Sequence, residues 1–390
     1  MRRSHPTRLA AAAVAGVGIL LVTAGCGSSS KTTSSTSTSA PASAGSSSSA
    51  SGSSASGTVA LLLPESKTTR YENADKPDFT AALSQLCPKC TLDYSNADQD
   101  AAKQLQQAEA ALTKGAKVLV LDPVDGTTAG KIVSDAKAQN VPVISYDRLI
   151  TGGGAAPNYY VSFDNVKVGQ LQATALKQQL DAQGKKGDLV WINGSPTDNN
   201  ATLFAQGAHS VIPKGGIPGY TIGYEVATPD WSPDKAQQEM EAAITKLGKD
   251  KIVGVYSAND GMATGMVAAM KSAGFTTIPP LTGQDAEKAA IVRILTGQQS
   301  MDVYKAIKPE AQAAAELAVD LLTGTKPSTI AGQPLSSTTT GSNQIPSVLL
   351  TPVAVTKATV KDTVIKDGFY TAADVCTGAA AATCKTLGIS

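Results

Sequence analysis

Short apolar runs alternate with amphipathic segments over most of this chain. Residues 59–63 are continuously apolar, which is the pattern of a strand buried on both faces. Further strands are predicted at 117–121, 141–146, 159–163, 188–192, 220–226 and 252–256. Helical spacing predicts helices that begin near 98, 126, 199, 232 and 261, the first of them capped by Asp98 and ending at Gly115. This alternation predicts an α/β protein whose parallel sheets carry helices on both faces.

The N-terminus has the pattern of a secretion signal. Arg2, Arg3 and Arg8 precede 14 apolar or glycine residues at 9–22, a run too short to span a bilayer. Cys26 follows Ala-Gly, as in a bacterial lipobox, so we predict a lipoprotein signal peptide at 1–25 and acylation of Cys26. The alternative is ordinary cleavage near Ala24 with a spare thiol. Residues 26–57 are rich in Ser and Thr and predict a flexible tether with a reach on the order of 30 Å.

The tether leaves roughly 330 residues, more than one hydrophobic core usually supplies, so we expect two doubly wound lobes. The 33 Lys and Arg residues nearly balance the 32 Asp and Glu residues, which argues against nucleic acid as the partner. Four cysteines form two close pairs, and we expect the disulfides Cys87–Cys90 and Cys376–Cys384 in an exported protein. A zinc site built from the four is the weaker alternative, because no histidine accompanies either pair.

Polar side chains follow most of the predicted strands. In parallel sheets, ligands bind beyond the carboxyl ends of the strands. The residues at these ends are Arg70 and Tyr71, Asp147 and Arg148, Asp198 and Asn200, Asn259 and Asp260, Gln284 and Asp285, and Lys305. Each Asp or Asn alone is explained by helix capping. Their coincidence at six strand ends predicts a binding site.

Carboxylates, amides and cations without catalytic partners suit a neutral polyol, whose hydroxyls can donate to carboxylates and accept from Arg and Lys. Tyr71 and Trp231 lie beside the predicted site loops, where a sugar ring could stack on them; the alternative for Trp231 is a core position. We expect no cofactor, metal or catalysis. The chain has two histidines, and its glycine-rich stretch at 126–131 departs from a P-loop. Asp147, Asp260 and Asp285 could supply the two carboxylates of a glycosidase, but each has a cationic neighbour in the set that favours its ionised form.

Several motifs resemble one family. They are residues 146–150 (YDRLI), 160–165 (YVSFDN), 194–201 (GSPTDNNA), 257–260 (SAND), 282–286 (TGQDA), 301–305 (MDVYK) and 363–369 (TVIKDGF). With them, the region from Thr58 to Tyr370 resembles the D-xylose-binding proteins of bacterial ABC importers, in the type I periplasmic-binding-protein superfamily. The resemblance implies a sugar pocket of Arg70, Tyr71, Asp147, Arg148, Asp198, Asn200, Trp231, Asp260, Asp285 and Lys305.

The resemblance also implies the organisation of the chain. Three crossings, after Phe163, near Gly283 and near Leu350, would divide it into an N-terminal lobe (58–163 with 284–349) and a C-terminal lobe (164–283 with 350–390). A hinge between the lobes would close on the sugar. The family usually has Trp where this chain has Tyr71.

The implied protein is a monomeric receptor, anchored by lipid to the outer face of the bacterial membrane. It delivers D-xylose to an ABC permease with its ATPase. A ligand-binding subunit for a signalling receptor is the alternative.

Overall fold

The structure, a computed structural model, describes residues 55–390. The predicted signal peptide, Cys26 and the tether up to residue 54 lie outside the described residues. Ala55 is buried against the core and the first strand begins at Gly57, so the end of the predicted tether belongs to the folded part. Within 55–390, no helix has the length and apolar character needed to cross a membrane.

The first sheet has seven strands. They are β1 (Gly57–Leu63), β2 (Cys90–Asn96), β3 (Val118–Leu121), β4 (Val143–Tyr146), β5 (Tyr159–Phe163), β12 (Ser336–Thr340) and β13 (Asn343–Leu350). Their spatial order is β12-β13-β5-β4-β3-β1-β2, and all neighbours are parallel except the β12–β13 hairpin. Strands β1, β3, β4 and β5 lie where the apolar runs predict them.

Helices cover both faces of this sheet. They are α1 (Lys76–Leu86), α2 (Ala101–Thr113), α3 (Gly130–Ala138) and α9 (Ile307–Thr323). Successive side chains of a strand point to opposite faces. Accordingly, Leu61 packs with Phe79 of α1 and Leu317 of α9, whereas Leu62 packs with Leu112 of α2 on the other side. Burial on both faces explains why β1 is apolar at every position.

The second sheet is β7-β6-β8, all parallel, and Leu281 bridges to Val255 at its edge. Its strands are β6 (Gly187–Asn193), β7 (Tyr220–Ala227) and β8 (Ile252–Ser257). Its helices are α4 (Asn165–Gln183), α5 (Asn199–Val211), α6 (Pro233–Leu247) and α7 (Asp260–Ser272). Helix α4 packs on α5, and α6 packs on α7, with Trp191 fully buried in the core between them.

Most of the remaining elements pack in a further hydrophobic cluster, which β9 joins to the core of the second sheet. They are β9 (Met301–Tyr304), β14 (Val353–Thr356), α8 (Lys288–Thr296), α10 (Ala372–Val375) and α11 (Ala380–Leu387). The short hairpin of β10 (Thr329–Ile330) and β11 (Gln333–Pro334) packs instead against α9. Strand β9 pairs antiparallel with β14, and α8 packs on both α10 and α11. The cysteines are joined as Cys87–Cys90 and Cys376–Cys384, the pairings expected from the sequence.

The packing divides residues 284–349, the segment that the resemblance led us to place in the N-terminal lobe. Residues 284–305 contain α8 and β9, which contact β14, α10 and α11, and Met301 and Val303 lie in the second core. Only α9 and the elements after it, up to β13, pack with the first sheet. We therefore propose that the second crossing lies near Lys305 and not near Gly283. The first lobe is then 57–163 with 307–350, and the second is 164–305 with 351–390.

Two helix starts also differ from prediction. Asp100, not Asp98, caps α2, because its carboxylate accepts from the amides of Ala102 and Lys103. Helix α3 begins at Gly130 and not at Gly126. Gly126 lies instead in a loop, where its amide donates to the carbonyl of Thr197 in the second lobe at 3.0 Å.

Candidate functional site

The strand ends of both lobes converge on one cleft. Its lining is polar and charged, with three aromatic side chains: Thr68, Arg70, Tyr71, Asp147, Arg148, Asp198, Asn200, Phe204, Trp231, Asn259, Gln284, Asp285 and Lys305. Nine of the ten residues predicted for a sugar pocket are in this set; Asp260 is not. The ends of β1 and β4 lie on one edge of the first sheet and those of β6 and β8 on one edge of the second, because parallel strands end on the same edge of a sheet. The end of β9, which pairs with β14 outside both sheets, also contributes to the cleft.

Arg70 is held by three carboxylates. Its Nε and Nη2 donate to the two oxygens of Asp75 at 2.9 and 2.7 Å, and Nη2 also donates to Glu310 at 2.6 Å. Its Nη1 donates to Oδ1 of Asp147 at 3.1 Å, on the cleft side. Two carboxylates that the sequence did not single out thus fix the orientation of the guanidinium.

Asp147 presents its carboxylate from a strained turn. Its φ is 51°, in the left-handed region that Asp and Asn tolerate better than most residues. Oδ1 accepts from Arg70, and Oδ2 accepts from the hydroxyl of Tyr71 at 3.0 Å. Burial by itself would raise the pKa of Asp147, but Arg70, Lys305 and Arg148 together hold it below its usual value. Asp147 is therefore an ionised acceptor.

Arg148 connects the two lobes across the cleft. Its Nε lies 3.1 Å from Oδ2 of Asp198 in the second lobe, and Nη2 donates to Tyr71 at 3.1 Å. Two further acids of its own lobe, Glu65 and Asp122, lie 3.7 and 3.6 Å from the guanidinium. Burial raises the pKa of Asp122 well above its usual value, as does the neighbouring charge of Asp147.

Asp198 combines the two roles that the sequence left as alternatives. Its Oδ1 accepts from the amide of Asn200 and caps α5, while Oδ2 faces Arg148 and accepts from Nε1 of Trp231 at 3.2 Å. Asn200 donates from Nδ2 to the carbonyl of Asp147 at 3.0 Å, a second polar contact between the lobes. Helix capping and ligand binding are compatible because a carboxylate has two oxygens.

Trp231 likewise fits both of its interpretations. It lines the cleft, yet it is only 4% exposed and belongs to the second core, edge-on to Phe204. Its ring lies directly on Gly194, where even a Cβ would meet ring atoms at 1.9 Å. Asp230 and Trp231 both have positive φ, which turns the indole toward the cleft. The ring is therefore rigidly placed, as a stacking surface requires.

Lys305 lies where β9 leads into α9, at the second crossing as we propose it. Its Nζ is 2.9 Å from Oδ1 of Asp285, and both side chains are 4% exposed. Burial lowers the pKa of a lysine, but Asp285 and Asp147 outweigh that effect and raise the pKa of Lys305 above its usual value. The cleft thus contains a buried ion pair, Lys305 with Asp285, where β9 leads into α9.

Asp260 is the one predicted site residue that the structure places elsewhere. It is fully buried in the first turn of α7, where its carboxylate accepts from the amide of Glu287 and from Nε2 of Gln299, each at 2.9 Å. Burial, reinforced by Asp302, raises its pKa well above the usual value. Asp260 therefore joins α7 to α8 and does not line the cleft.

Asn259 takes the position in the cleft that we expected of Asp260. Its extended backbone (φ −147°, ψ 175°) and its role as the cap of α7 turn it toward the strand end, whereas the next residue is already helical. Gln284, Thr68 and Phe204 also line the cleft, although none of them was among the ten residues predicted for the sugar pocket. Asn259 and Gln284 were visible as strand-end polar residues, but no local pattern marks Phe204.

Among the residues that the structure describes, no cluster of three or more His, Cys, Asp or Glu side chains could hold a metal ion. The cleft presents carboxylates, amides, two guanidiniums and an ammonium group, with an indole and a phenyl ring beside them. Such groups bind a molecule with many hydroxyls through charge-assisted hydrogen bonds and stacking.

Comparison with known proteins places a periplasmic binding protein domain over residues 59–326. The chain is 35% identical over 313 residues to the D-xylose-binding periplasmic protein of Escherichia coli (strain K12), covering 80% of this chain and 90% of that protein. It is 33% identical over 333 residues to a multiple sugar-binding periplasmic receptor of Rhizobium radiobacter, covering 81% of this chain and 91% of the receptor.

A solved structure has the same architecture. It is an ABC transporter solute-binding protein of Clostridium phytofermentans with bound β-D-glucose, which superposes with a TM-score of 0.74 at 29% identity. The alignment covers 82% of this chain and 99% of that one. The expected α/β fold with parallel sheets is confirmed.

Proposed function

The chain belongs to the periplasmic binding protein family, a family of sugar-binding transport proteins and not of enzymes, and from this premise we propose that it captures one monosaccharide, D-xylose. The sugar would lie between the lobes, with Asp147, Arg148 and Arg70 contacting it from the first lobe and Asp198, Asn200 and Trp231 from the second. Lys305 and Asp285 would contact it near the hinge. The loaded protein would then deliver the sugar to the permease and ATPase of an ABC importer.

One observation carries this proposal: nine predicted side chains from both lobes line a single cleft. A ligand that touches both lobes stabilises the closed state by its differential contacts, because those contacts are lost when the hinge opens. Xylose is favoured over other sugars by the relative that names it, whereas glucose is the ligand of the solved neighbour. The sugar is therefore the part of the proposal that most needs a direct measurement.

Titration of the purified protein with D-xylose, D-arabinose, D-ribose, D-glucose and D-galactose is the test. We expect saturable binding of one sugar per chain, tightest for D-xylose, with a change in tryptophan emission. Trp231 lines the cleft and Trp191 is fully buried in the second core, so Trp231→Phe should remove most of the change while calorimetry still detects binding. The absence of saturable heat with all five sugars would exclude D-xylose as the ligand and contradict the proposed function.

We also propose that Cys26 is acylated and anchors the protein to the outer face of the membrane, with residues 27–54 as the tether. A Cys26→Ser variant should move from the membrane fraction to the soluble exported fraction when it is expressed in a bacterium that processes lipoproteins. Equal membrane association of the variant and the wild-type protein would contradict the anchor. The sugar affinity of the released protein serves as the control for correct folding.

A further inference from the structure

The side-chain amide of Gln284 lies in the cleft with its oxygen unpaired. The residue is 2% exposed, and its Oε1 is buried without a hydrogen-bond partner among the described residues. Proteins keep few buried acceptors in this state, because an acceptor that is removed from water without a new partner destabilises the fold. The position therefore indicates a partner that is not part of the chain.

The charged side chains of the cleft, by contrast, are paired with one another. Arg148 pairs with Asp198 at 3.1 Å. Lys305 pairs with Asp285 at 2.9 Å. The free space in the cleft is about 20 Å³, enough for about one water molecule, so the lobes must separate before a sugar can enter. A sugar that enters competes with these ion pairs, whereas it can bond to Oε1 of Gln284 without displacing a partner from the protein.

The backbone on both sides of the loop holds Gln284 in place. Its carbonyl accepts from the amide of Asp260 in α7 at 3.2 Å, and the amide of the next residue, Asp285, donates to the carbonyl of Val303 in β9 at 3.0 Å. Asp285 and Ala286 have φ values of 88° and 51°, and strained backbone of this kind persists where the surrounding structure fixes it, as at ligand sites. The fold therefore places the Gln284 side chain without any hydrogen bond from Oε1.

On the premise of the proposed function, we propose that Gln284 is a sugar-binding residue whose amide oxygen accepts a hydrogen bond from one hydroxyl of the bound monosaccharide. The amide oxygen is a neutral acceptor with two lone pairs, and a hydroxyl has one proton to donate to it. A sugar without that hydroxyl leaves the acceptor unpaired in a buried site, which such a site discriminates against strongly. Gln284 thus contributes to the choice of ligand and not to the stability of the protein without ligand.

The test compares D-xylose with its deoxy derivatives, each of which lacks one hydroxyl, by calorimetry in the wild-type protein and in Gln284→Met. Methionine keeps nearly the length and volume of glutamine but has no amide. We expect the Kd of D-xylose to rise at least about tenfold in the variant. For one deoxy sugar, the ratio of its Kd to that of D-xylose should be at least about tenfold in the wild-type protein and close to one in the variant, because the two changes remove the same bond.

Unfolding in urea without sugar separates a ligand contact from a structural role. Because Oε1 is unpaired, we expect the urea midpoint of Gln284→Met to equal or exceed that of the wild-type protein. Gln104→Met is the matched control, since Gln104 is also 2% exposed but lies outside the cleft. Its Nε2 donates to the carbonyl of Asp122 at 2.7 Å, and its Oε1 accepts from the amide of Val124 at 2.9 Å. The control variant should have a lower midpoint and the wild-type pattern of deoxy-sugar ratios.

A lower midpoint or a loss of folding in Gln284→Met assigns the amide a structural role and overturns the inference. Deoxy-sugar ratios that are the same in this variant and in the wild-type protein overturn it as well, because no hydroxyl would then be bonded to Gln284. Either result, together with saturable binding of D-xylose by the wild-type protein, leaves the proposed function intact. If the wild-type protein does not bind D-xylose, the proposed function and the inference fail together.

Discussion

Replacing Asp147 by alanine is expected to weaken D-xylose binding at least about 30-fold, or about 2 kcal/mol. The carboxylate is the ionised acceptor of the cleft, and it is oriented by Arg70 and Tyr71 on one side each. Its loss removes charge-assisted bonds to the sugar and leaves the Tyr71 hydroxyl without its acceptor in a buried site. Isothermal calorimetry of the variant and the wild-type protein measures the effect.

Asp147→Asn removes the charge of the side chain while it keeps the conformation of the backbone. Asparagine tolerates the left-handed φ of 51° nearly as well as aspartate, so the turn is retained. If its amide nitrogen faces Arg70 it meets a donor, and if it faces Tyr71 the hydroxyl must turn to accept and loses its own acceptor. We therefore expect a loss of at least about tenfold. Asp181→Ala, which removes an exposed partner of Lys177, should leave the affinity unchanged. Near-wild-type affinity in Asp147→Ala would exclude this carboxylate from the binding site.

Replacing Arg70 by methionine is expected to lower the free energy of unfolding by about 3–5 kcal/mol at neutral pH. The guanidinium is 2% exposed and is the nearest cation to Asp75, Glu310 and Asp147. Methionine fills much of the same volume, so the loss reports the uncompensated carboxylates more than a cavity. Urea denaturation of the two proteins measures the difference.

The dependence of this loss on pH identifies its cause. Burial raises the pKa of Glu310 and Arg70 limits that rise, and Arg70 also helps to hold the pKa of Asp147 below its usual value. Without Arg70 both pKa values rise, so the native variant binds more protons than the native wild-type protein. The free energy of unfolding of the variant then falls relative to that of the wild-type protein as pH rises, and the deficit should be smaller at pH 5 than at pH 8. An equal deficit at both values would point to lost packing instead. Lys177→Met, which breaks an exposed ion pair, should cost less than about 0.5 kcal/mol at either pH.

The strand-end rule alone predicted the site to the level of strand ends but not of individual side chains. Asn259 and Asp260 are adjacent after β8, and the rule that ligands bind beyond strand ends points to both. Asn259 faces the cleft, whereas Asp260 is turned toward α8 because it already belongs to the helix. The distinction depends on the residue at which helical φ and ψ begin, and a one-residue shift there redirects a side chain completely.

The two acids that orient Arg70 could not be predicted from the sequence, for a different reason. Asp75 and Glu310 hold Arg70 from the helical segments after β1 and β9, separated by more than 200 residues in the chain. Neither stands at a strand end, and each would be an ordinary surface acid in its local pattern. Only the packing of α1 against α9 brings them to the same guanidinium.

The sequence by itself determined the alternation of strands and helices, the burial of β1 on both faces, the two close cysteine pairs and the strand ends at which the cleft forms. These features depend on the local periodicity of apolar residues and on the spacing of cysteines and polar residues, which are properties of the sequence itself. The tertiary structure decided that 284–305 packs with the second core, that Asp260 is withdrawn from the cleft and that the Tyr71 hydroxyl joins Asp147 to Arg148. Those outcomes depend on contacts between residues far apart in the chain, whose geometry no local pattern contains.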